Sequence, residues 1–313
     1  MATTVEYPPR RTRLQRKQLQ ADVKSIKLDD DDTADPKATR GPDALITMLP
    51  FRPPRTTTRL SVADHKLLLR KQDLLRNHDI LVPPDIRRSG SGADAVAATL
   101  VFAQQEAGTA VCIHPSGLLL TCSHCVAETA DELDLTAVHW LLFVSGTIVG
   151  ARCVAWDARR DLALLRITAA TTAEQEPEGG ARSFPAVVVA DQPPPMNARL
   201  VCIGHPGSED LEAGQPGIKT GYDVLHVSTG AFRGYAEGQD LQDNSEIGAL
   251  QHDCWTYWGH SGAPLLERES WRLVGLHSSW DDQTGMRRGV PLETIREFLE
   301  RNFWEVADGQ KDQ

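Results

Sequence analysis

The chain has 313 residues, 41% of them hydrophobic and 24% charged, with a formal net charge of −10, the balance of a soluble globular protein long enough for about two domains. Up to position 95 it carries 18 basic and 13 acidic residues, and beyond that 15 and 30, so the bulk of the protein is acidic and repels phosphate, which excludes nucleic acid as its main partner. No apolar run approaches the roughly 18 residues of a membrane helix, and the opening MATTVEYPPRRTRLQRKQLQ lacks the apolar core of a secretory signal. An intracellular protein, in cytoplasm or nucleus and off the membrane, is expected.

Residues 1–92 are rich in Pro, Arg and Asp, with DDDD at 29–32 and proline pairs near 8, 53 and 83; such a segment buries too little apolar surface to fold alone and reads as a largely disordered extension. The basic run RRTRLQRK at 10–17 reads as a solvated tail, with nuclear import or an acidic partner as the sharper alternatives. Within the extension, SVADHKLLLRKQDLLRNH at 61–78 has a Ser cap and near-helical apolar spacing, which predicts a short helix. SGSG at 89–92 reads as a linker.

From about residue 96 the pattern becomes short Val, Ile, Leu and Ala runs punctuated by Gly, Pro, Asn and Asp. AATLVFAQ, GTAVCIHP, GLLLTCSH, HWLLFVSG, GARCVAWD, LALLRIT, AVVVAD, ARLVCIGH, VLHVSTG, APLLE and RLVGLHSS read as strands. PLETIREFLERNF at 291–303 reads as a closing helix. An all-β architecture of two small barrels follows, at about 96–185 and 186–290, since parallel βαβ units would need helices between the strands. The six cysteines, Cys112, Cys122, Cys125, Cys153, Cys202 and Cys254, read as thiols without a signal peptide. CSHC at 122–125 has no second Cys/His pair at finger spacing, so no metal is expected there.

TYWGHSGAPLL at 256–266 sets Ser261 between glycines before an apolar run. Flanking glycines allow a turn that aims N–H groups beside the hydroxyl, but the same residues make an ordinary strand entrance. A nucleophilic serine needs a base and an orienting carboxylate. His124, delivered to the end of an apolar strand, and Asp161, at the lip of LALLRI, are the candidates, although each alone reads equally as a turn residue. Their chain order is His, Asp, Ser, whereas an α/β-hydrolase runs Ser, acid, His and needs a second glycine where Ala263 stands.

AGTAVCIHPSGLLLTCSHCV, DLALLRI, LVCIGHPG, ALQHDCWTYWGHSGAPLL, RLVGLHSS and GVPLETI, in that order, resemble segments of the trypsin-like serine peptidases of chymotrypsin fold, especially the intracellular HtrA/Deg-like branch, over about residues 96–303. The resemblance implies two six-stranded Greek-key barrels and a C-terminal helix. It implies a serine endopeptidase acting on proteins or peptides without a cofactor, with catalytic His124, Asp161 and Ser261, oxyanion N–H groups from Gly259 and Ser261, and Ser278 supporting Asp161. Specificity is set by its analogy at Trp255, Ser279 and Trp280, where no acid stands to favour Arg or Lys substrates. The tryptophans suit a small or apolar side chain or are core aromatics. His260 and Ala263 depart from the family's usual Asn or Asp and Gly. Cys125 follows His124 as in secreted relatives, but Cys112 is not placed like their partner cysteine. The chain ends about ten residues past the last helix, which leaves no room for the PDZ domain of HtrA proteases. Regulation is then expected from the positive extension folding over the negative body. The alternative is a protease-fold module that holds peptides with little turnover.

Overall fold

The computed structural model describes residues 47–49, 62–77, 82–103, 108–171, 183–207, 215, 217–219 and 225–308. The basic run at 10–17, the acidic run at 29–32 and the expected Ser cap at 61 lie outside the described residues.

Six strands make the first barrel: β2 (Thr99–Phe102), β3 (Thr109–His114), β4 (Leu118–Thr121), β5 (His139–Phe143), β6 (Ile148–Asp157) and β7 (Leu162–Thr171). They run in the order β7-β4-β3-β2-β5-β6, and pairing of β6 with β7 closes the ring. A three-residue strand, β1 (Thr47–Leu49), pairs in parallel with the end of β7. Strand β4 is apolar at three successive positions and buried throughout, because one of its faces fills the barrel and the other is covered from outside.

The second barrel takes β8 (Arg199–Gly204), β9 (His226–Tyr235), β10 (Leu250–His252), β11 (Pro264–Glu267), β12 (Leu273–Trp280) and β13 (Arg287–Pro291), closed in the order β10-β13-β12-β11-β8-β9. Its interior holds Leu200, Cys202, Phe232, Leu250, Leu265 and Val274. A larger core runs from Leu100, Val111, Leu120 and Leu164 of the first barrel to Val201, Ile203, Leu276 and Val290 of the second. The pair of six-stranded barrels is the architecture that the resemblance implied. All six cysteines are free and five are buried; burial pushes the Cys112 thiol up to about 12 and that of Cys153 to about 11.

Two expected strand details change. AVVVAD makes only a single bridge, Val189 to Leu273, and β10 and β13 complete the second barrel from segments without a strand-like run. The α-helices among the described residues are α1 (Val62–Asn77), α2 (Pro84–Arg87), α3 (Gly90–Ala97) and α4 (Leu292–Asp308). Helix α1 lies on the first barrel: Leu68 and Leu75 are buried with Val101, Trp140, Leu142 and Ile148, Gln72 donates to the Gly146 carbonyl at 2.9 Å and Lys71 to that of Phe102 at 2.7 Å. The SGSG stretch is no linker. Ser89 caps α3, its Oγ accepting from the Gly92 N–H at 3.3 Å, and Gly92 lies so close to Ile86 and Trp271 that a Cβ would stand 2.6 Å from a backbone oxygen. Serine and glycine serve here as cap and close-packing residues rather than as flexible spacers. Among the described residues no helix is long and apolar enough to cross a membrane.

Candidate active site

The candidate site draws His124, Asp161 and Ser261 from three connections and Ser278 from strand β12. His124 lies in the 3-10 turn Ser123–Cys125, the first of two that follow β4. Asp161 ends the turn from β6 to β7 with φ of 53°, a left-handed conformation that Asp tolerates better than most side chains. It is 2% exposed, and its carboxylate is fully engaged. Oδ1 accepts from His124 Nδ1 at 2.7 Å, from the Ser123 hydroxyl at 3.0 Å and from the His124 N–H at 3.4 Å. Oδ2 accepts from the Ser278 hydroxyl at 2.6 Å. A buried carboxylate that receives this many donors is held in one orientation.

Ser278 reaches Asp161 through an irregularity. In the β12–β13 pairing His277 faces Gly289 and Ser279 faces Arg288, so Ser278 is the extra residue of a β-bulge. A bulge re-aims one side chain and frees its backbone from the ladder. Both consequences are visible: the hydroxyl meets Asp161, and the carbonyl accepts the Ser261 hydroxyl at 3.3 Å.

Ser261 sits in the turn before β11. The His260 N–H is tied to the Tyr257 carbonyl at 3.1 Å and that of Gly262 to the His277 carbonyl at 2.8 Å, whereas the N–H groups of Gly259 and Ser261 have no partner among the described residues. Gly259 has φ of 99° and Gly262 of 82°; a Cβ on Gly262 would stand 2.1 Å from the Thr109 carbonyl oxygen. Thr109 of the first barrel pins the turn, its N–H donating to the Ser261 carbonyl at 2.8 Å and its hydroxyl to that of Gly259 at 2.9 Å.

Both departures from the family pattern are accommodated. Ala263 is fully buried within the second core. His260 is also buried, with Nε2 3.2 Å from His226 Nδ1, and its ring fills the space where a Cβ on Gly204 would stand 2.2 Å away. Burial holds His260 and His277 well below the ordinary histidine range, with neighbouring histidines and Arg287 adding to the effect. Neutral imidazoles behind the turn add no charge to it.

Of the three residues expected to set specificity, Trp255 and Trp280 come together around Arg287, while Ser279 pairs with Arg288 on the other face of the sheet. Trp255 is 54% exposed, so it is not a core aromatic. The Arg287 guanidinium lies 4.6 Å from the Trp255 ring centre and 5.3 Å from that of Trp280, while the Ser279 hydroxyl accepts from the Gly248 N–H at 3.4 Å. Sequence reasoning missed Ser123, Thr109 and Arg287. Only Ser123 carried a signal, as a hydroxyl adjoining the candidate base. Cys122, His124 and Asp161 place ligand atoms within 4.8 Å of one another, but His124 Nδ1 is spent on Asp161, and burial holds the Cys122 thiol protonated, far above its usual range. The set does not fit a metal ion.

Among solved structures, the fold is similar to an inactive serine-to-alanine mutant of Rv3671c from M. tuberculosis, at 15% identity and a TM-score of 0.48 over 72% of this chain and 96% of that one. It is also similar to the serine endoprotease from Yersinia pestis, at 20% identity and a TM-score of 0.48 over 73% of this chain and 69% of that one. No curated protein matches. The sequence profile of the trypsin-like peptidase domain matches residues 108–276, more than half of the chain and all three of His124, Asp161 and Ser261, and the protein belongs to that family.

Proposed function

We propose that the protein is a serine endopeptidase. Ser261 Oγ attacks the scissile carbonyl while His124 takes its proton and then gives it to the leaving amine; water, activated by the same imidazole, releases the acyl group. Asp161 fixes the imidazole with its proton on Nδ1 and stabilises the imidazolium. The N–H groups of Gly259 and Ser261 receive the oxyanion, a contribution of about 3–4 kcal/mol per donor in related systems. Ser278 and Ser123 hold Asp161. The chemistry needs no cofactor, and the substrate is an intracellular protein, a reading that the six free thiols support.

The observation that carries this reading is the carboxylate of Asp161, joined to His124 at 2.7 Å and to Ser278 at 2.6 Å, with the Ser278 carbonyl taking the Ser261 hydroxyl. One feature favours the alternative of a peptide-holding module: the Ser261 hydroxyl bonds Ser278 rather than His124. Catalytic hydrogen bonds are often long or misaligned without substrate, so the peptidase remains the better reading. The test is a fluorophosphonate probe on the full chain, with the labelled residue mapped by mass spectrometry. Labelling at Ser261 that disappears in His124→Ala supports the peptidase; an unlabelled Ser261 moves the assignment to the binding module.

A further inference from the structure

Asp161 ends the turn DARRD at 157–161, and its left-handed backbone, with φ of 53°, is a conformation that a residue other than glycine keeps only where its surroundings hold it. The residue before it supplies a hold. Arg160 is locked to the end of β6: its N–H donates to Asp157 Oδ1 at 3.0 Å and its Nη1 to Asp157 Oδ2 at 2.7 Å. Two further donors of the guanidinium leave the first barrel. Nε donates at 2.9 Å to Gln242 Oε1, in the connection between β9 and β10, and Nη2 donates at 3.0 Å to Glu297 Oε1, on α4. A planar guanidinium bonded through three nitrogens to three elements is fixed in orientation as well as in place, which a point-charge ammonium is not. The side chain is 12% exposed, so these bonds are screened less than surface pairs.

The anchors are themselves fixed. Asn244 is 1% exposed; its side-chain amide donates to the Leu241 carbonyl at 2.9 Å and accepts from the Ala249 N–H at 2.8 Å. The Thr294 hydroxyl of α4 donates to the same Leu241 carbonyl. The β9–β10 connection and the start of α4 are thereby joined, and together they grip both residues before Asp161. Arg160 is held by its side chain, and Arg159 by its carbonyl, which accepts the Asn244 N–H at 2.8 Å. The ion pair of Arg159 with Asp240, at 2.9 Å, is more than half exposed at both ends and adds little. The Asp161 carboxylate has to reach His124 of the first barrel at 2.7 Å and Ser278 of the second at 2.6 Å. Hydrogen bonds weaken steeply with distance and angle, so its backbone has little freedom to move.

We propose that Arg160 is a positioning residue of the site, and that through it α4 and the β9–β10 connection set the carboxylate of Asp161 against His124. The proposal rests on the peptidase reading above. Without the guanidinium the turn loses its side-chain ties to Gln242 and Glu297, while Glu297 keeps its ion pair with Arg301. What is lost is the orientation of Asp161. A triad works only with its imidazole held in one tautomer and direction, and a displacement of about 1 Å costs about a hundredfold in rate. Helix α4 thereby belongs to the site without supplying a residue that acts on the substrate.

The experiment measures, on the full chain, the maximal rate of fluorophosphonate labelling of Ser261 and the probe concentration that gives half of it. Arg160→Met keeps the stem and removes the fork; it is expected to lower the maximal rate about tenfold or more and to leave the half-saturating concentration nearly unchanged. Arg160→Lys keeps the charge and recovers part of the rate. Leu68→Ala, far from the site, separates positioning from stability: its urea midpoint falls while its labelling rate at room temperature stays that of the wild type. The proton on His124 Nδ1 is followed by its downfield nuclear magnetic resonance signal, assigned by its loss in His124→Ala, and is expected to shift or disappear in Arg160→Met alone of the Arg160→Met and Leu68→Ala pair. Labelling of Arg160→Met at the wild-type rate, or slowed no more than that of Leu68→Ala, overturns the proposal and leaves the peptidase standing. If Arg160→Met does not fold, Glu297→Ala takes its place, with a several-fold fall expected and a wild-type rate overturning. If the wild-type chain is not labelled, the peptidase reading falls and the resonance decides: a signal moved in Arg160→Met keeps Arg160 as the residue that positions Asp161, and one that is absent from the wild type or unmoved overturns it.

Discussion

At the residue scale, Asp161 is the position on which the site converges. Asn at 161 would present an amide N–H₂ to one of the donors that a carboxylate accepts from, so it must turn a donor toward either Ser278 or His124. Asp161→Asn is expected to leave stability nearly intact and to lower fluorophosphonate labelling of Ser261 by about a thousandfold or more, the scale set by tautomer loss in related triads; comparing labelling rates with the urea midpoint checks both halves. This part of the site was legible because three residue types in a fixed chain order, each at the end of an apolar run, constrain one another. The partners of Asp161 were less so. Ser278 came from the resemblance, and its role depends on a bulge that no local pattern announces. Arg287 was invisible, since an arginine pair after DDQTGM reads as the far side of a polar turn. His260 and Ala263 stood out in the sequence as departures. What reconciles His260 is a long-range fit, Gly204 making room for its imidazole, and Ala263 is taken into the core of the second barrel.

At the element scale, α1 makes a direct prediction. Leu68 is fully buried against the outside of the first barrel, so Leu68→Ala is expected to destabilise the protein by about 2–5 kcal/mol, read as a lower urea midpoint. Removal of residues 1–92 strips Leu68, Leu75 and Ile86 from the core, and the expected result is a destabilised barrel rather than a released enzyme. The partners of α1 named above belong to β2, β5, β6 and the turn between β5 and β6, none of them His124, Asp161 or Ser261. Helix α1 was legible from its apolar spacing, whereas α3 was not, because a Ser-Gly repeat states flexibility unless its packing partners are known. Strand β10 is three residues long and β13 begins with two arginines; both exist because the ladder of a closing barrel supplies their pairing.

The second barrel carries a pH dependence of its own. His252 is fully buried with its pKa lowered from the ordinary 6.5 to about 3, and burial lowers His226 to about 4. The unfolded chain therefore binds these protons first as the solution is acidified. Their contribution is complete above about pH 6.5 and is lost as pH falls toward 3, amounting to about 2 kcal/mol for His252 alone at pH 5. Urea midpoints at pH 7 and pH 5 should differ, and the difference should shrink in His252→Gln whatever its absolute stability.

At the scale of the whole molecule, the two barrels meet through the residues of the candidate site. Thr109 donates to the Ser261 and Gly259 carbonyls and accepts from the His205 N–H at 3.0 Å, and Asp161 takes Ser278 across the same gap. Thr109→Val removes the hydroxyl without changing shape and leaves buried groups unpaired at about 1–3 kcal/mol each. The expected outcome is labelling of Ser261 that fades at a lower temperature than the far-ultraviolet circular dichroism signal. The pairing of barrels was readable from strand count and family resemblance, but this seam was not, because Thr109 lies 152 positions from Ser261 in the chain and nothing near it marks a partner. The seam has a consequence for what can be cut. Under the peptidase reading proposed above, a site whose two walls are fastened by the Ser261 turn cannot gape to admit a folded domain without undoing itself, so the substrates expected of it are those that arrive as loose, extended chain: tails, linkers and the exposed loops of damaged or unfinished proteins.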